Sequence, residues 1–144
     1  MNLLHNNTLG IDIGSTTVKI AVLDSEQHIL FTDYERHYAN IQETLALLLS
    51  KAKEKLGEMT VSPSITGSGG LTLSGHLNVP FTQEVVAVAT ALQDYAPQTD
   101  VAIELGGEDA KIIYFTGGID QRMNGICAGG TGSFIDQMAS LLQT

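Results

Sequence analysis

The chain has few of the residues on which several classes of protein depend. Its 144 residues include one cysteine, three prolines and no tryptophan. A single cysteine excludes a disulfide within this chain and is typical of a reducing compartment, so we expect a cytoplasmic protein. Seven basic residues stand against 16 acidic ones, which gives a net charge of −9. Such a charge argues against a nucleic-acid partner, because phosphate backbones bind basic surfaces.

Other features are missing as well. No apolar stretch reaches the roughly 18 residues of a membrane span, and the first nine residues contain no Lys or Arg. We therefore expect neither a membrane association nor a secretory signal. No lysine has the glycine spacing of a Walker A loop, which disfavours a P-loop enzyme, and the histidines show no metal-ligand spacing. Apolar residues make up 43% of the chain, enough for a folded core.

The strongest positive signal lies near the start of the chain. The apolar runs Leu9–Gly14 and Val18–Leu23 predict two strands joined by a turn. The turn consists of Gly14, Ser15, Thr16 and Thr17. Such small residues expose backbone N–H groups, which form a nest for anionic oxygens. Asp12 precedes the turn, and a carboxylate beside phosphate requires a divalent cation such as Mg²⁺ between them. The alternative is an ordinary hairpin with a polar turn.

A second segment, Val101 to Tyr114, repeats this arrangement. An acid, a glycine two positions later and a lysine five positions beyond the glycine recur with the same spacing. The first set is Asp12, Gly14 and Lys19, and the second is Glu104, Gly106 and Lys111. Two phosphate hairpins in tandem indicate two related lobes with a nucleotide between them. The alternative is a chance similarity between two acidic hairpins.

The pattern between the hairpins predicts the rest of an α/β lobe. We expect a third strand at Ile29–Tyr34, a helix at Asn40–Leu56, a short strand at Ser64–Thr66, a helix at Leu71–Leu77, a strand at Phe81–Val85 and a helix at Val86–Tyr95. Asn40 and Glu43 form a capping-box pattern and Gly57 supplies a stop. The order βββαβαβα is ribonuclease H-like, with a mixed sheet. We therefore expect a first lobe at 1–97 and the opening hairpin and helix of a second, incomplete lobe at 98–144.

A third motif surrounds the single cysteine. Cys127 precedes a glycine-rich turn and a predicted helix. The apolar residues of that helix are spaced for one buried face and are Phe134, Ile135, Met138, Leu141 and Leu142. A thiol just before a helix start meets free N–H groups and the positive end of the dipole, which favours the thiolate. Such a thiolate is a nucleophile, a metal ligand or an iron–sulfur ligand, and the alternative is a buried structural cysteine.

The paired hairpins resemble the two phosphate motifs of the actin, sugar-kinase and heat-shock-chaperone ATPases. The resemblance implies that ATP or ADP binds at both turns and that Asp12 is associated with Mg²⁺ through water. It implies catalytic roles for Asp12, Glu104 and Glu108. The implied nucleotide-binding residues are Gly14, Ser15, Thr16, Thr17, Lys19, Gly106, Gly107, Gly130, Thr131 and Gly132. Glu104 departs from the family, which usually has Asp there, so its longer side chain would reach the metal differently.

The third motif narrows this resemblance. The segment is similar to the activator ATPases of the 2-hydroxyacyl-CoA dehydratases and benzoyl-CoA reductases, the BadF/BadG/BcrA/BcrD type. The matching residues are Met123, Asn124, Cys127, Ala128, Gly130, Thr131, Gly132 and Phe134. The resemblance extends from Gly10 through Ala139. The segment Glu104–Asp109, together with Cys127–Gly130, looks closest to activator domains at the start of long proteins fused to dehydratase-like segments.

This resemblance implies an ATP-dependent activator. Two subunits would share one four-iron four-sulfur cluster, each providing two cysteines, one of them Cys127. ATP hydrolysis would drive a low-potential electron to a CoA-thioester dehydratase or reductase. The second cysteine and the family's adenosine-binding glycine pair are absent here, so we expect an N-terminal fragment that is inactive by itself, whereas the full-length homodimer hydrolyses ATP.

Two other functions remain open from the sequence. One is a small-molecule kinase of the same superfamily, of the amino-sugar type. It needs a catalytic aspartate aimed at a substrate hydroxyl, and the turn Gly67–Gly70 has none nearby. The other is a non-catalytic regulatory module that keeps the ATPase-like fold.

Overall fold

The computed structural model describes residues 7–124 and 130–143. Contacts between residues divide the chain into two compact units, Met1–Thr82 and Gln83–Thr144. The helix at 84–95 therefore clusters with the second unit, whereas the sequence pattern places it at the end of a first lobe. The lobe boundaries at 97 and 98 remain a prediction, because the contacts show which segments pack together and do not test which segments form two related lobes.

The first unit is a mixed four-stranded sheet with two helices. Its strands are β1 (Asn7–Ile13), β2 (Thr17–Leu23), β3 (Ile29–Arg36) and β4 (Val61–Thr66), and its helices are α1 (Ile41–Leu56) and α2 (Gly70–Leu77). The sheet order is β3-β2-β1-β4. Strands β1, β2 and β3 pair antiparallel, and β4 pairs parallel with β1. The mixed α/β architecture predicted from the sequence is confirmed.

The core of this unit follows from strand and helix periodicity. Alternate residues of β1 and β2 point to one face of the sheet and meet the apolar stripe of α1. The buried residues are Leu9, Ile11, Ile13, Val18, Ile20, Val22, Phe31, Leu45, Leu48, Ala52 and Ile65. Because β1 and β2 are both buried on this face, the turn that joins them is held on a rigid base.

Both ends of α1 were predicted, but only one forms as expected. Gly57 ends the helix with φ +79°, and its N–H donates to the Lys53 carbonyl at 2.9 Å. The predicted capping box is wrong, because the side chain of Asn40 makes no bond to a helix N–H. Its amide donates instead to the Glu43 carboxylate at 2.5 Å. The backbone of Asn40, with φ −107° and ψ 67°, lies outside the extended conformation that an N-cap adopts.

The predicted strand at Phe81–Val85 is also wrong. Phe81 makes one isolated parallel bridge with Ile65, and the N–H of Thr82 donates to the Ile65 carbonyl at 2.8 Å. Helix α3 (Glu84–Tyr95) begins directly afterwards. Val85 is β-branched, which favours a strand. It nevertheless lies in the first helical turn, because the Ala87 N–H donates to the Gln83 carbonyl at 3.0 Å.

The second unit contains α3 and a three-stranded antiparallel sheet in the order β5-β6-β7, followed by a helix. The elements are β5 (Val101–Leu105), β6 (Ala110–Tyr114), β7 (Asp120–Met123) and α4 (Gly132–Leu142). Strand β7 was not predicted. The predicted buried face of α4 is wrong, since Phe134, Ile135, Leu141 and Leu142 are exposed. Periodicity defines an apolar stripe, but burial requires a neighbouring element that covers it, and of the predicted stripe residues only Met138 is half-buried in the described structure.

No helix among residues 7–124 and 130–143 is long and apolar enough to cross a bilayer.

Candidate functional site

The first candidate site is the turn between β1 and β2. The Gly14 N–H donates to the Thr17 carbonyl at 2.9 Å, which closes the turn over Ser15 and Thr16. Asp12 and Lys19 are direct partners in the antiparallel register, and Lys19 Nζ lies 2.7 Å from Asp12 Oδ2. Lys19 therefore compensates the charge of Asp12. Both side chains keep access to solvent, at 50% for Lys19 and 32% for Asp12.

The loop after β4 lies against the same turn. In the parallel register Asp12 is opposite Thr66, so Gly67 follows beside the carboxylate. Gly67 has φ +96°, and a Cβ there would overlap the Ile13 carbonyl and lie 2.5 Å from Asp12 Oδ1. The N–H of Gly69 donates to the Ile13 carbonyl at 2.9 Å. The sequence pattern singled out this loop only for its lack of an aspartate. Glycines at the carboxyl end of a strand nevertheless indicate that a ligand or another backbone segment lies close to it.

A buried histidine also contacts the first turn, and the sequence pattern did not single it out. His37 is 8% exposed. Its backbone N–H donates to the Thr16 carbonyl at 3.1 Å, and its ring nitrogen Nε2 lies 3.2 Å from the Gly14 carbonyl. The turn is thus supported from β1, from β4 and from the end of β3.

The second candidate site repeats the first within the other unit. The Gly106 N–H donates to the Asp109 carbonyl at 2.9 Å, as Gly14 does to Thr17. Glu104 and Lys111 are direct cross-strand partners, with Glu104 Oε1 3.5 Å from Lys111 Nζ. The spacing repeat in the sequence is therefore a repeat of turn geometry and of the acid–lysine pair.

The lysine of the second hairpin is far less exposed than that of the first. The Lys111 side chain is 9% exposed, and Nζ lies 2.6 Å from Glu84 Oε2 and 3.5 Å from Asp109 Oδ2. Burial by itself lowers the pKa of Lys111. The hydrogen bond with Glu84 and the charges of Glu104, Glu84 and Asp109 outweigh that effect and raise the pKa well above its usual value. Lys111 is therefore a fixed positive charge beside Glu104.

The other oxygen of Glu104 is buried without a hydrogen-bond partner among the described residues. Buried carboxylate oxygens are normally hydrogen-bonded, which makes this atom a candidate contact for a ligand. Glu104 thus has one oxygen beside Lys111 and one without a hydrogen-bond partner within residues 7–124 and 130–143. Glu108, the third predicted acid, is exposed on the same turn.

The start of α4 packs on the second turn. The Gly132 N–H donates to the Gly106 carbonyl at 2.8 Å, and Ser133 donates to the Gly107 carbonyl from both its N–H and its hydroxyl. Thr131 is fully buried, and its hydroxyl has no partner within the described part of the chain. The structure therefore brings Gly106, Gly107, Thr131 and Gly132 together, with Gly130 adjacent at φ +76°. Cys127 lies outside the described residues.

The residues at the first turn fit a magnesium–phosphate group. Asp12 supplies one partly exposed carboxylate, and Mg²⁺ is usually held by one or two carboxylates with water and phosphate oxygens. Gly67 leaves beside Asp12 Oδ1 a space that a Cβ would fill. Any residue with a side chain at position 67 would block access to the Asp12 carboxylate.

Comparison with known proteins identifies the family of this chain. The model of the BadF/BadG/BcrA/BcrD ATPase family matches residues 9–144. The chain is 30% identical over 141 residues to the (R)-2-hydroxyglutaryl-CoA dehydratase activating ATPase of Acidaminococcus fermentans, covering 94% of this chain and 54% of that protein. It is 32% identical over 144 residues to the activator of lactoyl-CoA dehydratase of Anaerotignum propionicum, covering 95% and 54%.

A solved structure shows the same fold. The activator of the 2-hydroxyisocaproyl-CoA dehydratase from Clostridium difficile, with bound ADPNP, superposes with a TM-score of 0.80 at 27% identity. The match covers 96% of this chain and 53% of that one. The chain thus spans about half the length of the relatives that it matches. With the family model matched over nearly all of its residues, this chain belongs to the BadF/BadG/BcrA/BcrD ATPase family.

Proposed function

We propose that this chain is the phosphate-binding part of an ATP-dependent activator that drives low-potential electron transfer to a CoA-thioester dehydratase or reductase. The observation that supports it best is the repeated hairpin. In each copy a glycine closes the turn and a cross-strand lysine faces the acid. Exposed backbone N–H groups in turns of this kind form nests that bind anionic oxygens such as those of phosphate.

The first hairpin would hold the metal. Asp12 would bind Mg²⁺ through water, and the Ser15, Thr16 and Thr17 segment would bind phosphate oxygens. When bound, Mg²⁺ neutralises phosphate charge and lowers the pKa of its water. Lys19 Nζ lies 2.7 Å from Asp12 Oδ2, and this ion pair restrains the carboxylate.

The second hairpin would also bind phosphate oxygens. Gly106 closes the turn on the Asp109 carbonyl, so Gly107 would supply a turn N–H group, and the buried oxygen of Glu104 has no hydrogen-bond partner among the described residues. Lys111 holds the opposite oxygen of Glu104, so the carboxylate cannot rotate freely. Glu108, on the same turn, is the candidate for positioning the attacking water. Gly130, Thr131 and Gly132 would complete this site.

Cys127 is proposed as a ligand of a four-iron four-sulfur cluster shared by a cytoplasmic homodimer. Family membership supports this role, and four thiolates are the usual complement of such a cluster. In the native protein, Cys127→Ser should lose the cluster and its absorption after anaerobic reconstitution, yet still bind ATP. A Cys127→Ser protein that retains four irons per dimer would instead favour the buried structural cysteine.

The proposed ATPase role is tested at Asp12. Asp12→Asn in the native protein should lower steady-state ATP hydrolysis by on the order of 100-fold or more, because an amide lacks the charge that holds the metal-bound water. The fold should survive, since an asparagine oxygen still accepts from Lys19. The matched control is Asp33→Asn, another strand aspartate that is paired with a lysine, Lys51, at 3.0 Å.

Hydrolysis near the wild-type rate in a folded Asp12→Asn protein would refute the role of Asp12. ATP binding without hydrolysis in the wild-type protein would support the regulatory module. Transfer of phosphate to an amino sugar would support the kinase.

A further inference from the structure

His37 uses all of its polar groups in two directions. Toward the first turn, its backbone N–H donates to the Thr16 carbonyl at 3.1 Å, and the ring nitrogen Nε2 lies 3.2 Å from the Gly14 carbonyl. Toward its own loop, Nδ1 accepts from the Ala39 N–H at 3.0 Å, and its carbonyl accepts from the Asn40 N–H at 2.6 Å. The side chain lies between the phosphate turn and the connection from β3 to α1.

These contacts determine which ring nitrogen is protonated. Nδ1 faces a backbone donor, so it must be the acceptor. Nε2 faces a carbonyl oxygen, so it must bear the proton and donate. A neutral ring with the proton on Nε2 satisfies both bonds. The loop beside this ring has an unusual backbone. Tyr38 and Ala39 adopt φ values of +43° and +66°, which non-glycine residues seldom adopt.

The two bonds to the turn orient two peptide groups. A trans peptide is planar, so its carbonyl and its N–H point in opposite directions. No cis peptide occurs in the described part of the chain. With the Gly14 carbonyl directed at His37, the Ser15 N–H points away from His37. The Thr16 carbonyl is directed at the His37 N–H, so the Thr17 N–H likewise points away.

We propose that His37 is a positioning residue that fixes the Ser15 and Thr17 N–H groups for phosphate binding. The inference rests on the proposed function, since it assigns the turn to nucleotide phosphate. It goes further in naming a residue outside the hairpin that prepares the turn. Donors that are oriented before binding lose less freedom when the phosphate arrives, and affinity rises accordingly.

The test compares two amides of different reach in the native protein. In His37→Asn the side-chain oxygen takes the place of Nδ1 and still accepts from Ala39, but the amide is too short to reach Gly14. In His37→Gln the amide nitrogen takes the place of Nε2 and can donate to the Gly14 carbonyl. We expect His37→Asn to bind MgATP and MgADP about 5- to 10-fold more weakly, the value of one hydrogen bond.

The kinetics should show the same division. The KM of His37→Asn for ATP should rise by a similar factor with kcat little changed, because the turn binds phosphate in ground and transition states alike. His37→Gln should stay within about twofold of the wild type. In the nucleotide-free protein, the Ser15 amide resonance should shift in His37→Asn and return toward wild type in His37→Gln, whereas Thr17 should change less because the backbone N–H of residue 37 is present in every variant. The matched control is His28→Asn, a 70% exposed histidine at the other end of β2.

The outcomes separate the two proposals. A wild-type protein that binds no MgATP refutes the proposed function together with the phosphate role of the turn. A wild-type protein that binds MgATP, with His37→Asn binding equally well or with an unmoved Ser15 resonance, refutes the role of His37 alone. Equal loss in His37→Gln and His37→Asn would also refute it, since packing and not the bond to Gly14 would then matter.

Discussion

Replacing Lys111 by methionine should destabilise the second hairpin much more than the same change at Lys19 destabilises the first. The two lysines occupy equivalent cross-strand positions opposite Glu104 and Asp12. Their side chains differ in exposure, at 9% for Lys111 and 50% for Lys19. Methionine keeps most of the aliphatic volume of lysine, so the comparison isolates the loss of the charge.

The magnitude follows from what the substitution leaves behind. Removing one partner of a buried ion pair costs about 3–5 kcal/mol, because the remaining charge is uncompensated. The carboxylates around Lys111 are between 27% and 42% exposed and regain some hydration. We therefore expect the free energy of unfolding to fall by about 2–3 kcal/mol. At Lys19, an exposed single pair, the loss should be below about 1 kcal/mol.

The pH dependence of this contribution has a definite sign. The pKa of Lys111 is raised in the folded state above its unfolded value of about 10.4. A raised pKa stabilises the fold fully below the unfolded pKa, and the contribution is lost as the pH rises through the folded value. The difference between wild type and Lys111→Met should therefore stay constant from pH 7 to about pH 10 and shrink only above it.

Residue-resolved hydrogen exchange of β5 and β6 measures the effect where it arises. A loss of about 2–3 kcal/mol corresponds to exchange roughly 30- to 150-fold faster for amides that open with the hairpin. In Lys19→Met, the amides of β1 and β2 should change by less than about fivefold. Equal and small effects in the two variants would refute the reasoning, since the buried cluster around Lys111 would then contribute no more than an exposed pair.

Two further substitutions test the surroundings of the sites. Gly67→Ala should destabilise the first unit and weaken MgATP binding, because the new Cβ would overlap the Ile13 carbonyl and lie 2.5 Å from Asp12 Oδ1. Gly75→Ala, where the Cβ meets nothing within 4 Å, should instead stabilise α2 by about 0.5–1 kcal/mol in thermal unfolding. Asp24 accepts the His28 and Glu26 N–H groups at 2.9 and 2.8 Å, and these bonds lower its pKa. Asp24→Asn should therefore reduce the free energy of unfolding at neutral pH, and the difference from wild type should vanish as the pH falls below about 4. A titration midpoint of the Asp24 carboxyl at or above its usual value would contradict this.

Several features followed from local sequence alone. Apolar runs beside small-residue turns predicted β1, β2 and β5, and helical spacing predicted α1 with its stop at Gly57. The recurrence of acid, glycine and lysine at fixed spacing predicted two equivalent turns, and the cross-strand registers agree. These features are predictable because a tight turn fixes the register of the strands beside it.

Other features required contacts between distant segments. The sequence predicted an apolar face on α4 but not its exposure, and it predicted a strand at Phe81–Val85 where a single bridge occurs. In both cases the local pattern was ambiguous, because the outcome depends on which neighbouring element is present to pair or pack. The unequal burial of Lys19 and Lys111 has the same origin, since Glu84 approaches only Lys111.

By itself, then, the sequence determined the two glycine turns and the acids that precede them, because those features depend on residues a few positions apart. Only the tertiary structure decided what surrounds them. The parallel pairing of β1 with β4 places Gly67 against Asp12, and the return of the chain after β3 places His37 behind Gly14. Neither neighbour can be identified from spacing, since each is brought to the turn by strand pairing across a long stretch of chain.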